Sequence, residues 1–344
     1  MSLKKDNKRI IKEYMLEKIE SNENVVEKTQ ENFSISKTTI YHYLQELIEA
    51  GAIEKYGKGK YRTVKKYKYF SYENTRLVED VVFREDIAPL LQEQHVSENV
   101  MRIWAYAFTE MMNNAIEHSM ADKIQVMVSI SYSYITIFIV DEGVGIFKKI
   151  KEFYHYDSID DAISELFKGK LTTDSQNHSG EGIFFTSRIL DNFAAISDKR
   201  VFTHDDYSEV LDEIDENHRL RELADVKGTL IFMRLATRSR KEIKEVFDMY
   251  SDAENGFHKT NIPMKNVFGN NFPVSRSQAR RLCNRLEKFK EVTLDFAGVD
   301  EIGQAFSHEL FVKYPRLNPE VKLNIVNAND EVQKMIKRVK NTQI

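Results

Sequence analysis

Residues 123–147 read KIQVMVSISYSYITIFIVDEGVGIF, and no other segment constrains the architecture as much. Two alternating apolar runs rich in Ile, Val and Tyr flank a turn near Ser131–Ser133, the pattern of two paired strands. The second run leads without a break into Asp141-Glu142-Gly143-Val144-Gly145. A strand that delivers D-x-G-x-G places a carboxylate at its end. Gly143 and Gly145 leave the neighbouring backbone open to close approach by a flat ligand.

Upstream, NVMRIWAYAFTEMMNNAIEHSM (99–120) has the period of a helix, with Val100, Ile103, Trp104, Ala107, Phe108, Met111, Met112 and Ala115 on its buried side. Glu110, Asn114 and His118 fall at i, i+4 and i+8, on one stripe of that helix. Taken alone the stripe is equally a solvent-facing polar strip. A carboxylate, an amide and an imidazole aimed at one place can also position a water and a metal. Downstream, Ser179-Gly180-Glu181-Gly182-Ile183 opens an apolar, helix-like run. That stretch is either a tight turn or an anion cradle, since the first N–H groups of a helix lack partners. Gly228-Thr229 then opens a further strand, KGTLIFMRL.

In chain order these are E-x-x-x-N-A on a helix, D-x-G-x-G after a strand, S-G-x-G-I into a helix, and G-T opening a strand. The set resembles the GHKL ATP-binding fold of gyrase-type ATPases, Hsp90-type chaperones, MutL proteins, histidine kinases and anti-sigma-factor serine kinases, over roughly residues 75–235. The resemblance implies that Asp141 accepts the adenine amino group and that Thr229 supports the contact through a water. It implies that Asn114 ligates Mg²⁺ among the phosphates, with His118 one turn further along the nucleotide side. Gly180 and Gly182, within Ser179, Glu181 and Ile183, would hold the phosphates. The polar segment of about 148–179 would be a lid that moves until nucleotide arrives. Glu110 would deprotonate the attacking water. Histidine kinases more often carry Asn there, whereas anti-sigma serine kinases also carry Glu. Hydrolysis, serine phosphorylation and non-catalytic nucleotide sensing all stay open. Glu117 departs from the family, since many kinases have Lys near the phosphates and a carboxylate would repel them unless it faced away.

Composition sets the frame. With 344 residues, 42% hydrophobic and 30% charged, the chain is globular and long enough for two or three domains. No stretch of membrane-spanning length is apolar throughout, and MSLKKDNKRIIKEY has none of the apolar centre of a signal peptide. One cysteine, Cys283, excludes intrachain disulfides and Cys-rich zinc sites, and a cytoplasmic home is the expectation. The net charge of −4 is uneven: residues 1–70 are basic and the remainder is acidic.

Within 1–70, a helix over NKRIIKEYMLEKIES, a second over ENVVEKTQENF and a third starting at the N-cap Ser36 precede a hairpin about Gly57–Gly59. This order resembles a winged helix-turn-helix. The resemblance points to duplex DNA met by Lys37, Thr38, Thr39, Tyr41 and His42 on the third helix. Lys58, Lys60 and Arg62 would contact phosphates from the hairpin, where residues 55–68 hold seven Lys/Arg and no acid. Use of the module for protein assembly alone is the rival expectation.

Residues 241–265 read as a linker. From 266 to 344 a capping box at Ser275 and Gln278 opens an alternating α/β pattern, with Cys283 in its buried stripe. This part resembles a STAS-like domain. Around GVDEIGQAF, where anti-anti-sigma factors carry a phosphorylatable Ser, stand Gly303, Gln304 and Ala305, with Ser307 one turn on. A docking or sensing role follows, with a protein partner. The expected whole is a multidomain α/β (α+β) protein: winged helix (1–70), GHKL sandwich with a mixed sheet and helices on one face (71–240), and STAS-like domain (266–344). It would be an ATP- and Mg²⁺-dependent regulator coupling nucleotide state to DNA or partner binding, and the GHKL resemblance also implies a homodimer.

Overall fold

The computed structural model describes residues 2–171, 180–205, 210, 211, 214, 227–269 and 272–341. It opens with α1 (Ser2–Glu20), α2 (Val25–Phe33) and α3 (Lys37–Glu49), followed by the hairpin β1 (Ile53–Gly57) and β2 (Lys60–Thr63). Local chemistry starts the second and third helices. The Asn24 side chain accepts from the Glu27 amide, and Ser36 Oγ accepts from the Thr39 amide at 3.2 Å. Met15, Leu16, Ile40, Leu44, Leu47 and Ile53 form the shared core of the three helices and hairpin.

The expected border at residue 70 cuts through a strand. β3 (Lys66–Glu73) leaves the hairpin and becomes the edge of a six-stranded sheet. After it come α4 (Glu79–Val82), a π turn, α5 (Ala88–Glu93), α6 (Glu98–His118), β4 (Lys123–Ile130), β5 (Tyr134–Asp141), α7 (Ile146–Tyr154), α8 (Ile159–Lys168), α9 (Gly182–Ile189), β6 (Asn192–Ser197), β7 (Arg200–Thr203) and β8 (Thr229–Ala236). The buried side of α6 is the expected one, residue for residue.

The sheet order is β3-β4-β5-β8-β6-β7, and every neighbouring pair is antiparallel. The expected mixed sheet is therefore corrected. β5 and β6 do run the same way across the helical crossover α7–α9, but β8 is inserted between them, antiparallel to both. Nor is one face left open. Ile124, Val126, Val128, Ile135, Ile137 and Ile139 meet the helices, while Met127, Phe138, Val140, Leu230 and Phe232 form a second cluster with Val210 and Ile214. Burial on both faces is why β4 and β5 are apolar almost throughout rather than strictly alternating.

Half of the expected lid is core. Phe147 and Ile150 of α7, and Ala162, Ile163, Leu166 and Phe167 of α8, are buried in the main cluster. The segment is polar on average, yet its apolar residues recur at helical spacing, which is what packing responds to. The remainder of that expected lid, 172–179, lies outside the described residues.

The expected linker is also folded. Residues 241–265 supply α10 (Ile243–Tyr250), the short pair β9 (Ser251–Asp252) and β10 (Gly256–Phe257), and β11 (Lys259–Pro263). Then follow α11 (Met264–Phe268), α12 (Arg276–Cys283), β12 (Glu291–Asp295), α13 (Gln304–His308), a π turn, α14 (Tyr314–Leu317), β13 (Lys322–Val326) and α15 (Asp330–Asn341). β11, β12 and β13 form a parallel sheet, so the C-terminal unit begins before residue 266. Its capping box at Ser275 and Gln278 is present. No described helix is long and apolar enough to cross a membrane.

Ile262 in β11 is completely buried. Replacement by Ala should cost about 2–4 kcal/mol, read as a lower urea midpoint. A true linker would lose almost nothing.

Candidate functional site

A cavity of about 290 Å³ opens between α6, the ends of β5 and β8, and the starts of α7 and α9. Its floor is set by strand register. Asp141, the last residue of β5, lies directly opposite Thr229, the first of β8. Asp141 is 5% exposed, and its Oδ1 accepts from the Gly143 amide at 3.0 Å. Burial pushes its carboxyl up to about 6 despite hydrogen bonds from Gly143 and Thr229. Thr229 Oγ1 in turn accepts from the Ile146 amide at 3.0 Å, tying the start of α7 to the same point.

Two glycines permit this convergence. A Cβ on Gly143 would lie 1.9 Å from the Ser119 carbonyl oxygen, and one on Gly228 would lie 1.9 Å from the Asp141 carbonyl oxygen. Both obstacles are backbone, so no side chain could be accommodated by a rotamer change.

The stripe on α6 forms one wall. Glu110, Asn114 and His118 all line the cavity, with Met111, Ala115 and Ser119 beside them. Across from it stand Gly180, Gly182 and Ile183. A Cβ on Gly182 would lie 2.1 Å from Glu110 Oε2, so the Glu110 carboxylate sits against the first residue of α9. Gly180 has φ +72, and its carbonyl accepts from the Leu171 amide at 3.1 Å, which closes the loop beside the cavity. Tyr106 and Glu181 lie close by. Burial first, then Glu110 and Glu181, raise the Tyr106 hydroxyl pKa, and burial raises that of Glu181 against the pull of Lys170.

Of the residues expected from sequence, Glu110, Asn114, His118, Asp141, Gly145, Gly180, Gly182, Ile183 and Thr229 are brought together on the cavity wall. Gly143 and Glu181 flank it, and Ser179 lies outside the described residues. Glu117 is exposed and does not line the cavity. Lys149 was missed. It lines the cavity from α7, and its Nζ donates to the His118 carbonyl at 2.9 Å, at the C-terminal end of α6. The amphipathic period after Gly145 would have revealed it, since position 149 shares a face with Ile146 and Ile150. Gly169, Leu171 and Phe184 also line the wall unforeseen.

The cavity thus offers an acceptor pair at one end and glycine backbone at a helix start at the other. Asn114, Lys149 and a carboxylate stand between them. Among the described residues no three His, Cys, Asp or Glu side chains group to hold a metal.

In the N-terminal unit, Lys37, Thr38, Tyr41 and His42 are exposed on α3, and Thr39 is half-buried with its hydroxyl 2.9 Å from Ser36 Oγ. Glu46, the acid on this helix nearest His42, is neutralised by Lys8 at 2.6 Å and Lys12 at 2.7 Å, which together hold its carboxyl near 2. Lys58, Lys60 and Arg62 are exposed on the hairpin, Arg62 engaged with Glu54 at 2.5 Å. In the C-terminal unit, Ser307 is fully buried and donates to the Gly303 carbonyl at 2.8 Å. Burial pushes the thiol of the half-buried Cys283 up to about 12, away from the reactive thiolate.

No curated protein is similar enough to this chain to match it. The family model of a STAS-like domain of unknown function, DUF4325, matches residues 278–333, from α12 to the first turn of α15. The C-terminal part of the chain therefore contains a STAS-like domain.

Proposed function

We propose that the chain is an ATP- and Mg²⁺-binding regulator of the GHKL type, with a winged-helix DNA-binding unit before its nucleotide domain and a STAS-like unit behind it. One observation carries the reading. The acceptor pair Asp141–Thr229, the α6 stripe and the glycines opening α9 face a single cavity, although the sequence spreads them over more than a hundred residues.

In this reading the Asp141 carboxylate accepts from the adenine amino group, with Thr229 holding its position. Asn114 would take the Mg²⁺ that travels with the phosphates, and the ion would offset their charge. Lys149 adds a cation on the same side. The amides at the start of α9 are oriented toward an anion before it arrives, so no reorganisation is needed. Glu110 serves as general base for water, beside the glycine that leaves room for it. Buried Ser307 gives no support to phosphotransfer within the chain. A serine kinase would therefore act on a separate STAS-type partner.

Turnover tests this first. With Mg²⁺ and ATP, Glu110→Ala should lower phosphate release at least about 100-fold while the ATP affinity holds. Label appearing on an added protein instead of in water would favour the kinase, and binding without release in wild type would favour a pure sensor.

Asp141 sets a pH dependence with two opposite signs. Its ionised form is the acceptor, so ATP affinity should be full above about pH 6 and fall about tenfold per unit below it. The folded pKa is raised above the ordinary 3.8. Stability of the ligand-free chain should therefore be greatest below pH 3.8 as far as this group is concerned, and decline by about 3 kcal/mol as pH rises through 6. Asp141→Asn should remove both dependences, in titrations of binding and of unfolding.

For DNA, joint replacement Lys58→Glu and Lys60→Glu should weaken duplex binding irrespective of sequence and flatten its salt dependence by about two counterions. An unchanged salt slope would make the unit an assembly module.

A further inference from the structure

The wall of the cavity between Lys168 and Leu171 is held less by its own domain than by the C-terminal unit. Lys168 is 1% exposed. Its ammonium pairs with Glu165 at 2.5 Å and donates to the Arg281 carbonyl at 3.2 Å and the Asn284 carbonyl at 2.8 Å. The Arg285 guanidinium, almost as deeply buried, reaches the other Glu165 oxygen at 3.5 Å and donates to the Lys170 carbonyl. Thr260 of β11 donates to the Lys168 carbonyl at 2.7 Å, and Lys170 Nζ donates to the Lys288 carbonyl at 3.0 Å.

Between these anchors sits Gly169, at φ +85, where a Cβ would meet Phe184 and Phe257 at 2.8 Å. Lys170 and Arg285 both have positive φ, at 53° and 64°, a conformation that non-glycine residues hold at a cost. Tertiary contacts must therefore fix both sides of the junction. Gly169 and Leu171 line the cavity, and Leu171 carries the backbone bond to Gly180. A series of side-chain-to-carbonyl hydrogen bonds, completed by the backbone bond from Leu171 to Gly180, thus runs from α12 and β11 to the side of the cavity where the anionic part of a ligand would lie.

We propose that Arg285 is a positioning residue for the cavity, through which the STAS-like unit sets the phosphate-side wall and couples its own conformation to occupancy of the site. This rests on the nucleotide reading above. Coupling of this kind is reciprocal: a partner that shifts the loop after α12 changes ligand affinity, and a bound ligand changes that loop by the same factor. Adenosine, which lacks phosphates, falls outside the coupling.

The test is calorimetric titration of the full chain with MgATP and with adenosine, for wild type, Arg285→Met and Thr260→Val. Arg285→Met leaves Glu165 with Lys168 as a one-to-one pair, and Thr260→Val is close to isosteric. The expected result is about tenfold weaker MgATP binding by Arg285→Met, a smaller loss for Thr260→Val, and adenosine affinity unchanged in both. Hydrogen exchange of residues 278–290 should slow on adding MgATP to wild type and not to Arg285→Met. Equal loss of adenosine and MgATP affinity would reduce Arg285 to a stability role and overturn the proposal. So would unchanged MgATP affinity. If wild type bound neither ligand, the nucleotide reading itself would fall, and this inference with it.

Discussion

The close backbone approach at the end of β5 is the constraint on which the middle of the molecule depends. Three chain segments meet there with no side chain between them: the end of α6 at Ser119, the turn at Gly143, and the start of β8 at Gly228. Once they meet, Asp141 is buried facing Thr229, and Ile146 is tied to the Thr229 hydroxyl. The carboxylate is costly to bury ionised, which its raised pKa expresses. A fold that keeps such a group on the floor of a cavity leaves acceptor capacity there, and a donor from outside can recover part of that cost.

Insertion of β8 between β5 and β6 follows from the same meeting point. A parallel β5–β6 pair would have put the C-terminal end of β6, Ile196-Ser197 followed by Asp198-Lys199, beside Asp141, with no glycine to approach the turn. β8 brings Gly228 immediately before Thr229. The antiparallel sheet and the chemistry of the cavity floor are thus one arrangement, and the helical crossover lays α7, α8 and α9 over the face where α6 already stands.

Much of this was legible because it is local. The caps Ser36 and Ser275, the buried face of α6, the two central strands and the glycine-rich turns each leave their signal within a few residues. The cavity residues were legible for the same reason, as a polar stripe on α6 or at the start or end of a recognisable element. What failed was non-local or averaged. The β8 insertion is invisible to any window of sequence. α7 and α8 read as a polar lid because charge dominates their average while Phe147, Ile150, Leu166 and Phe167 set their packing. β11 reads as loop because KTNIP contributes only Thr260 and Ile262 to the interior and ends in proline. Nothing local marks Lys168 or Arg285 as buried, since such residues nearly always lie at the surface. The carbonyl that receives Lys168 is 116 residues away.

That last failure bears on why charge is buried at the junction at all. A buried ion pair on its own is weak ground for stability, because desolvation offsets the attraction. Here two cations share one carboxylate, which pairing alone would not favour. The surplus is explained by backbone. Arg281 and Asn284 end α12, where carbonyls lack helical partners, and Lys170 follows the end of α8. An ammonium is well suited to a helix C-terminus, both as donor and by charge. Apolar replacements would fill the volume but remove the donors to the Asn284 and Lys170 carbonyls, the more costly outcome. Because the donors reach main chain rather than side chains, the docking fixes main-chain geometry from 168 to 171, and that same main chain forms the cavity wall.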